Sequence, residues 1–306
     1  MDLLIVGAGR MGRWFARTCG GESVAFADRD PAVAEAAAEE VGGRAVALEG
    51  DEGFDVVCIA VPMSGAADAI AEHATRGRSA VVDVTGAMGP AVEAMREAAP
   101  YRERLSLHPL FAPERAPGNV AAVFDKRGPV TGRIRGSLVA AGNRVVETDP
   151  ETHDRAMETV QAKAHAAILA FALAADPVPE GFVTPVLDAM AGLTEAVTGG
   201  DPGVYAEIQD AFDGADEVAG AARRVAEAAD DPAAFVALHD EVGPVIEPDD
   251  TAGRADEGAP ASGDEASTTE DPDDGTDEAS ATEDPDDGTD EASATGDAGD
   301  GAGDPQ

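Results

Sequence analysis

Short apolar runs alternate with helical patterns over the first 148 residues. The runs have the length of strands and lie at residues 3–6, 23–27, 54–61, 80–84, 105–107, 120–124 and 144–147. Apolar residues at helical spacing occupy the intervals, for example at 66–73 and near Ser137. Strands that alternate with helices imply a parallel sheet covered on both faces. The pattern therefore predicts an α/β fold with a doubly wound sheet as its N-terminal domain, 1–148.

The pattern changes at Asp149, where strands are replaced by helices. Asp149 is a suitable N-cap, and Pro150 fits the first position of a helix. Helical patterns follow at residues 151–175, 183–198, 202–229 and 232–242, and together they predict an all-helical domain, 149–246. Met157, Val160, Ala164 and Ile168 are expected on one face of the first helix, and other faces are also apolar. Such a helix is usually covered on several sides, which predicts a homodimer through this domain.

Residues 247–306 lack an apolar pattern. The sequence TEDPDDGTDEASA at 269–281 repeats letter for letter at 282–294. The segment holds 22 acidic residues and one base, Arg254. With so few apolar residues to bury, it cannot offset the entropy cost of ordering. We expect a disordered acidic tail that is dispensable for activity. The alternative is an acidic tail that binds a partner.

The first strand runs directly into Gly7-Ala8-Gly9-Arg10-Met11-Gly12, and a helix follows. This is the fingerprint of a dinucleotide-binding, Rossmann-like domain. Gly7 permits the tight turn, Gly9 lets a pyrophosphate approach the backbone, and Gly12 lets the helix pack against the strand. Arg10 and Met11, at the start of the helix, are predicted cofactor contacts. The alternative is a glycine turn that binds nothing.

An acidic residue is expected about 20 residues further on, at the end of the second strand. Asp28 occupies that place. A carboxylate there accepts hydrogen bonds from ribose hydroxyls and repels a 2′-phosphate, so NAD is favoured over NADP, although Arg29 could soften the preference. Val61 and Pro62, at the end of the strand 54–61, are further predicted cofactor contacts.

His108 lies at the end of a predicted strand, at the edge of the sheet where the predicted cofactor residues also lie. The prolines after it stiffen its loop. An imidazole has an unperturbed pKa near neutrality and can accept a proton from a substrate hydroxyl. His73 and His239 are expected on the surface, and His153 is expected to be structural. No residue cluster predicts a metal site.

The net charge of −40 would repel nucleic acid and anionic membranes. It suits a protein of a salt-rich cytoplasm, where salt screens self-repulsion. No apolar run is long enough to span a bilayer, and no leader segment is expected. Cys19 and Cys58 lie in predicted core elements and suggest no disulfide.

Four segments resemble the prephenate dehydrogenase family. Residues 106–113, SLHPLFAP, resemble its His-Pro-Met-Phe-Gly-Pro loop, and residues 152–154 with 160–165 are similar to its HD…IQAxxH helix. Residues 201–208 resemble its DPxLYADI segment, and residues 82–84 match its VD(L/V) strand. The resemblance spans residues 2 to about 245.

The resemblance implies that His108 takes the proton of the 4-hydroxyl of prephenate while a hydride passes to NAD. The ring ketone then promotes loss of the ring carboxylate as CO2. By the same resemblance, His165 and Gln161 contact the substrate. Arogenate dehydrogenase is an alternative that differs only in the substrate side chain. A non-catalytic NAD-binding regulator of the same fold is another.

Two departures from the family pattern concern substrate binding. The family's Ser-Val-Lys is replaced by Gly86-Ala87-Met88, and Thr85 is a candidate to supply the missing hydroxyl. The family's arginine after the DPxLYADI segment aligns with Gly214. Another cation must then bind the ring carboxylate, and the candidates are Lys163 and Arg115. A solvated Lys163 is the alternative to the first.

Overall fold

A computed structural model describes residues 1–246 of the chain, and Met1–Gly243 form one compact unit. The predicted acidic tail lies outside the described residues. The division of the compact unit at residue 148 stays a prediction. Among the described residues, no helix is both long and apolar enough to cross a membrane.

Eight strands form one sheet in the order β3-β2-β1-β4-β5-β6-β7-β8. Every neighbouring pair is parallel except β6 and β7, which are antiparallel. The expectation of a purely parallel sheet was therefore wrong at this pair. The strands are β1 Asp2–Val6, β2 Ser23–Ala27, β3 Arg44–Ala45, β4 Phe54–Ile59, β5 Gly77–Asp83, β6 Glu103–Pro109, β7 Asn119–Lys126 and β8 Arg144–Glu147.

Helices cover both faces of this sheet. The helices are α1 Arg10–Cys19, α2 Pro31–Val41, α3 Met63–His73, α4 Met88–Ala98 and α5 Pro129–Ala140. Alternate residues of β1 enter two separate cores: Leu3 packs on one face with Trp14, and Leu4 on the other with Ile70. All four side chains are buried. The predicted doubly wound α/β architecture is confirmed.

The rest of the described chain is helical. The elements are α6 Pro150–Met157, a π-helical turn at Glu158–Lys163, α7 Ala164–Ala174, α8 Pro185–Thr198, α9 Pro202–Ala211, α10 Ala215–Ala228 and α11 Pro232–Asp240. Two expectations were wrong. The π-helical turn shifts the apolar face of the first helix, so Val160 is 54% exposed. The predicted helix 202–229 is two helices, because Phe212 is extended and buried between them.

Two carboxylates of this helical part cap helices of the sheet. Glu207 accepts hydrogen bonds from the N–H of Met63 (3.0 Å) and the hydroxyl of Ser64 (2.7 Å) at the start of α3. Asp154 accepts from the N–H groups of Met88 (3.0 Å) and Gly89 (2.8 Å) at the start of α4. Neither helix has a side-chain cap from its own N-cap residue. Because helix N-termini carry unpaired donors and partial positive charge, these contacts hold the helical part against the carboxyl edge of the sheet.

The helical part leaves apolar surface uncovered. No residue of α7 is buried, although ten of its eleven residues are apolar. Leu173 is 89% exposed, and Phe182, just before α8, is 75% exposed. In a single chain this surface has no covering partner among the described residues.

Candidate active site

The glycine turn is built as its sequence predicts. Gly7 has φ +95°, and a Cβ on it would clash with the carbonyl oxygen of Ala60. A Cβ on Gly12 would clash with the carbonyl oxygen of Gly7 and lie 2.9 Å from the Cγ2 of Ile5. Gly9 has open space within 4 Å of where its Cβ would be. The two crowded glycines thus shape the turn, and Gly9 leaves room for a ligand.

The N-terminus of α1 opens onto this space. Gly9 is the N-cap, no side chain caps the helix, and its first turn holds no acidic residue. Unpaired N–H groups and the positive end of the helix dipole suit a phosphate, so the turn fits a dinucleotide. Met11 packs against the core, and Arg10 forms an exposed ion pair with Glu114.

The other predicted cofactor residues lie beside the turn. The carboxylate of Asp28 accepts hydrogen bonds from the N–H of Ala8 (2.8 Å) and the N–H of Asp30 (3.0 Å). Each carboxylate oxygen keeps a further lone pair for a ribose hydroxyl. Val61 Cγ1 would lie 3.1 Å from a Cβ on Gly7, and Pro62 directly precedes α3.

His108 is the penultimate residue of β6 and is buried. Its Nδ1 lies 3.0 Å from Nε2 of His153, and Nδ1 of His153 lies 2.7 Å from Oδ1 of Asp154. The three side chains form a continuous chain from β6 to α6. His153 was expected to be structural, and the structure places it in direct contact with the predicted base.

Burial sets the charge of His108, and hydrogen bonds set the charge of Asp154. Burial, and then the neighbouring His153, lower the pKa of His108 to about 3, against a smaller opposing effect of Asp154. Burial opposes ionisation of Asp154 too. Hydrogen bonds from His153, Met88 and Gly89 outweigh it, so the pKa of Asp154 lies below its ordinary value. A neutral imidazole therefore faces the site, and an ionised carboxylate ends the chain.

Gln161 reaches His108 from the π-helical turn. Its Nε2 lies 3.4 Å from Nε2 of His108, and its Oε1 is buried without a partner among the described residues. The amide of Gln209, on α9, donates to the carbonyl of Ala162 (3.0 Å) and supports the turn. π-Helical turns are frequent at functional sites, and this one brings a predicted substrate residue to the base.

The remaining predicted substrate residues are placed differently. The hydroxyl of Thr85 donates to Asp83 (2.8 Å), and burial raises the pKa of Asp83 to about 6. The ring of His165 packs edge-on against Tyr205, with centroids 4.8 Å apart.

The two candidate cations also differ in their surroundings. Lys163 forms an ion pair with Glu217 of α10. Arg115 is exposed and has no ion pair in the described part of the chain. Within residues 1–246, no hydrogen bond joins Thr85, His165, Lys163 or Arg115 to His108. Their roles stay predictions.

Gly86 explains one departure from the family pattern. A Cβ at this position would lie 2.6 Å from the sulfur of Met63 and 3.6 Å from Nε2 of His108. The Met63 side chain thus occupies the volume that a larger residue at position 86 would need. Glycine at this position therefore adds no side chain beside the His108 ring nitrogen.

One histidine departs from expectation. His73 is buried rather than on the surface, because it follows Ile70 by three residues and shares its buried face. His153 and Asp154 are the site residues that were missed. The signal for them was an adjacent His-Asp pair in the first turns of a helix. His239 is exposed, as predicted.

Comparison with known proteins agrees with this architecture. Residues 2–87 match the family described as NADP oxidoreductase, coenzyme F420-dependent. The solved prephenate dehydrogenase from Aquifex aeolicus superimposes with a TM-score of 0.61 at 16% identity, covering 78% of this chain and 96% of that one. At that identity the likeness shows the fold alone.

Two relatives match over most of the described chain. A protein of Methanocaldococcus jannaschii named "Probable arogenate/prephenate dehydrogenase" is 25% identical over 67% of this chain and 50% of its own length. The chain thus spans half of that relative. The 4-amino-4-deoxyprephenate dehydrogenase of Streptomyces pristinaespiralis is 33% identical over 233 residues, covering 70% of this chain and 78% of that protein. The chain therefore belongs to the prephenate/arogenate dehydrogenase family.

Proposed function

We propose that the protein is an NAD-dependent dehydrogenase that converts prephenate to 4-hydroxyphenylpyruvate by oxidative decarboxylation, a step of tyrosine biosynthesis. The observation that carries the proposal is the neutral, buried His108 in the same sheet as a glycine turn that fits a dinucleotide. Membership in the family supports the substrate class.

In this reaction His108 accepts the proton of the 4-hydroxyl at its Nε2. When bound, NAD supplies the acceptor for the hydride that leaves C4 of the substrate. As the hydride departs, the hydroxyl becomes a protonated ketone, which is strongly acidic. A base whose pKa is lowered to about 3 is therefore sufficient. The electron pair of the bond to the ring carboxylate moves through the ring to the ketone oxygen, CO2 leaves, the oxygen takes up a proton, and the ring becomes aromatic.

We propose NAD rather than NADP as the cofactor. The carboxylate of Asp28 lies against the glycine turn, where a 2′-phosphate would meet a like charge. The description of the family matched by residues 2–87 names NADP and coenzyme F420, but the match ends before His108 and does not include it. A ratio of kcat/KM for the two cofactors that favours NADP would contradict the proposal.

Five side chains are proposed to bind the substrate: Thr85, Arg115, Gln161, Lys163 and His165. Gln161 has the strongest support, because its amide contacts the ring of His108. For the ring carboxylate we favour Arg115, which is exposed and has no ion pair within residues 1–246, over Lys163, whose charge is already paired with Glu217. The matched variants Arg115→Gln and Lys163→Gln distinguish them. Replacing the residue that binds the ring carboxylate should raise KM without a comparable loss of kcat.

We also propose a homodimer through the helical part, which would cover the exposed face of α7. The surplus of acidic residues supports a salt-rich cytoplasm as the working environment, with no nucleic acid or membrane as a partner. The small-molecule substrate and the cofactor are the only ligands that the proposal requires.

The assay follows NADH formation and CO2 release in molar salt with three substrates. Prephenate and arogenate differ in their side chains, and 4-amino-4-deoxyprephenate carries an amine at C4. The last is included because a relative at 33% identity is named for it. We expect turnover of prephenate with equal amounts of NADH and CO2. A preference for arogenate or for 4-amino-4-deoxyprephenate would assign the enzyme a different substrate of the same family. No turnover with any of the three substrates would contradict the proposal.

A further inference from the structure

The chain of side chains behind His108 is more than packing. Asp154, His153 and His108 are linked by two contacts of 2.7 Å and 3.0 Å, and both histidines are buried. We infer that His153 and Asp154 are positioning residues that hold His108 as its Nδ1–H tautomer, with the Nε2 lone pair directed into the site. The consequence for catalysis rests on the proposed function, whereas the tautomer itself does not.

The first link is fixed by Asp154. Its carboxylate receives the N–H groups of Met88 and Gly89, which stabilise its charged form. An ionised carboxylate can only accept hydrogen bonds. Nδ1 of His153 must therefore carry the proton that the contact of 2.7 Å requires.

The second link follows when His153 carries a single ring proton, the one at Nδ1. Its Nε2 is then unprotonated and is an acceptor. That atom lies 3.0 Å from Nδ1 of His108, so Nδ1 of His108 must be the donor. Nε2 of His108 is then left with its lone pair.

The opposite tautomer of His108 meets two unfavourable contacts. With the proton on Nε2 of His108, and with His153 protonated at Nδ1 alone, Nδ1 of His108 and Nε2 of His153 would be two lone pairs 3.0 Å apart. The new N–H would also point toward the amide nitrogen of Gln161, which is itself a donor. Gln161 instead suits a lone pair at Nε2.

The ionisable groups near the pair are few. Asp154 on α6 and the buried Asp83 on β5 face His153, and both are acidic. Among described residues, no base acts on the pKa of His108 except His153. The chain of hydrogen bonds is therefore the feature that distinguishes the two ring nitrogens of His108.

The test uses ¹⁵N-labelled histidine in the full chain, in molar salt, with and without NAD. The ¹⁵N shifts of a histidine ring report which nitrogen carries the proton, and His108→Asn assigns the signal. We expect the wild-type protein to show His108 protonated at Nδ1. Protonation at Nε2 would overturn the inference, whatever substrate the enzyme uses.

Two variants of His153 separate positioning from packing. His153→Leu removes the acceptor, and we expect the His108 signal to move toward the Nε2–H form. The kcat with prephenate should fall about 10- to 100-fold, by analogy with the loss of the hydrogen-bond partner of a metal-bound histidine, with little change in KM.

His153→Gln should restore both readouts, because its amide can donate to Asp154 and accept from His108 but cannot be protonated like imidazole. His239→Leu, an exposed histidine, is the control. An unchanged tautomer in His153→Leu, or a His153→Gln variant that behaves like His153→Leu, would contradict the assignment.

Discussion

The sheet and the helical part of this protein bury their apolar residues to different extents. Leu3, Leu4 and Ile5 of β1 are fully buried, and so are Val56, Val57 and Cys58 of β4. Helix α7 is more apolar than most elements of the sheet and its covering helices, yet none of its residues is buried by the rest of the described chain. The sheet therefore completes its core within the described chain, whereas the helical part carries apolar surface that no other residue of 1–246 covers.

The largest expected effect concerns that exposed surface. Replacing Leu173 by Glu should convert the proposed dimer to monomers, because each dimer loses two buried leucines at about 1.5–3 kcal/mol each. Tyr101→Glu is the matched control, since Tyr101 is equally exposed but lies outside the helical part. Sedimentation in molar salt measures both variants. A dimer that survives Leu173→Glu, or one that Tyr101→Glu also dissociates, would break the comparison.

A substitution at Gly12 tests the tight packing of α1 against the glycine turn and β1. Gly12→Ala should lower the free energy of unfolding by about 1–3 kcal/mol, the usual cost of overpacking, because its Cβ would clash with the carbonyl of Gly7. It should also weaken NAD binding.

Gly132→Ala is the control, because no atom lies within 4 Å of its Cβ position. Urea unfolding of the two variants gives the difference. Equal stabilities would show that the turn relaxes around the added methyl group.

The sequence pattern predicted the sheet well because central strands such as β1 and β4 place alternate residues in two cores. The direction of β7 was missed, although a signal was present. Only residues 110–118 separate β6 from β7, and a parallel crossover needs a dozen residues or more.

The helical part was harder to predict for a physical reason. Helical periodicity indicates which residues share a face, but it does not indicate what covers that face. The π-helical turn at Glu158–Lys163 changes the register within one helix, so Val160 turns outward. His153 was missed because its partner, His108, is 45 residues away in sequence.

The pKa of His108 predicts a pH effect on stability. The folded protein keeps His108 neutral down to about pH 3, whereas the unfolded chain protonates it below about pH 6.5. The unfolded state thus binds more protons as the pH falls, and stability is lost by at most about 1.4 kcal/mol per pH unit.

His108→Asn should reduce this loss between about pH 6.5 and pH 4. Urea unfolding at several pH values, at constant salt, measures the difference between the two proteins. If the free energy of unfolding changes with pH equally in the wild type and in His108→Asn, His108 takes up its proton in the folded state as it does in the unfolded chain. Because the group is neutral at ordinary pH, activity should show no acid limb near pH 6.5 that belongs to His108.

The smallest expected effect concerns the acidic tail. Every residue of the candidate site lies within residues 1–246, so deleting 247–306 should leave kcat, KM and the oligomeric state unchanged at the same salt. Solubility at low salt should fall, because much of the net charge is removed. A large loss of turnover in the truncated protein would assign the tail a part in the site.

The central claim is that His108 is the base of an NAD-dependent dehydrogenase. The most direct test is the kcat of His108→Asn with prephenate and NAD in molar salt, with His239→Asn as the control for an exposed histidine. Asparagine keeps a polar side chain of similar size, so the Kd for NAD should stay the same. We predict that kcat falls by about two to four orders of magnitude, the usual contribution of a positioned base, and that His239→Asn keeps wild-type activity. A kcat within a few fold of wild type for His108→Asn would contradict the account and place the base elsewhere.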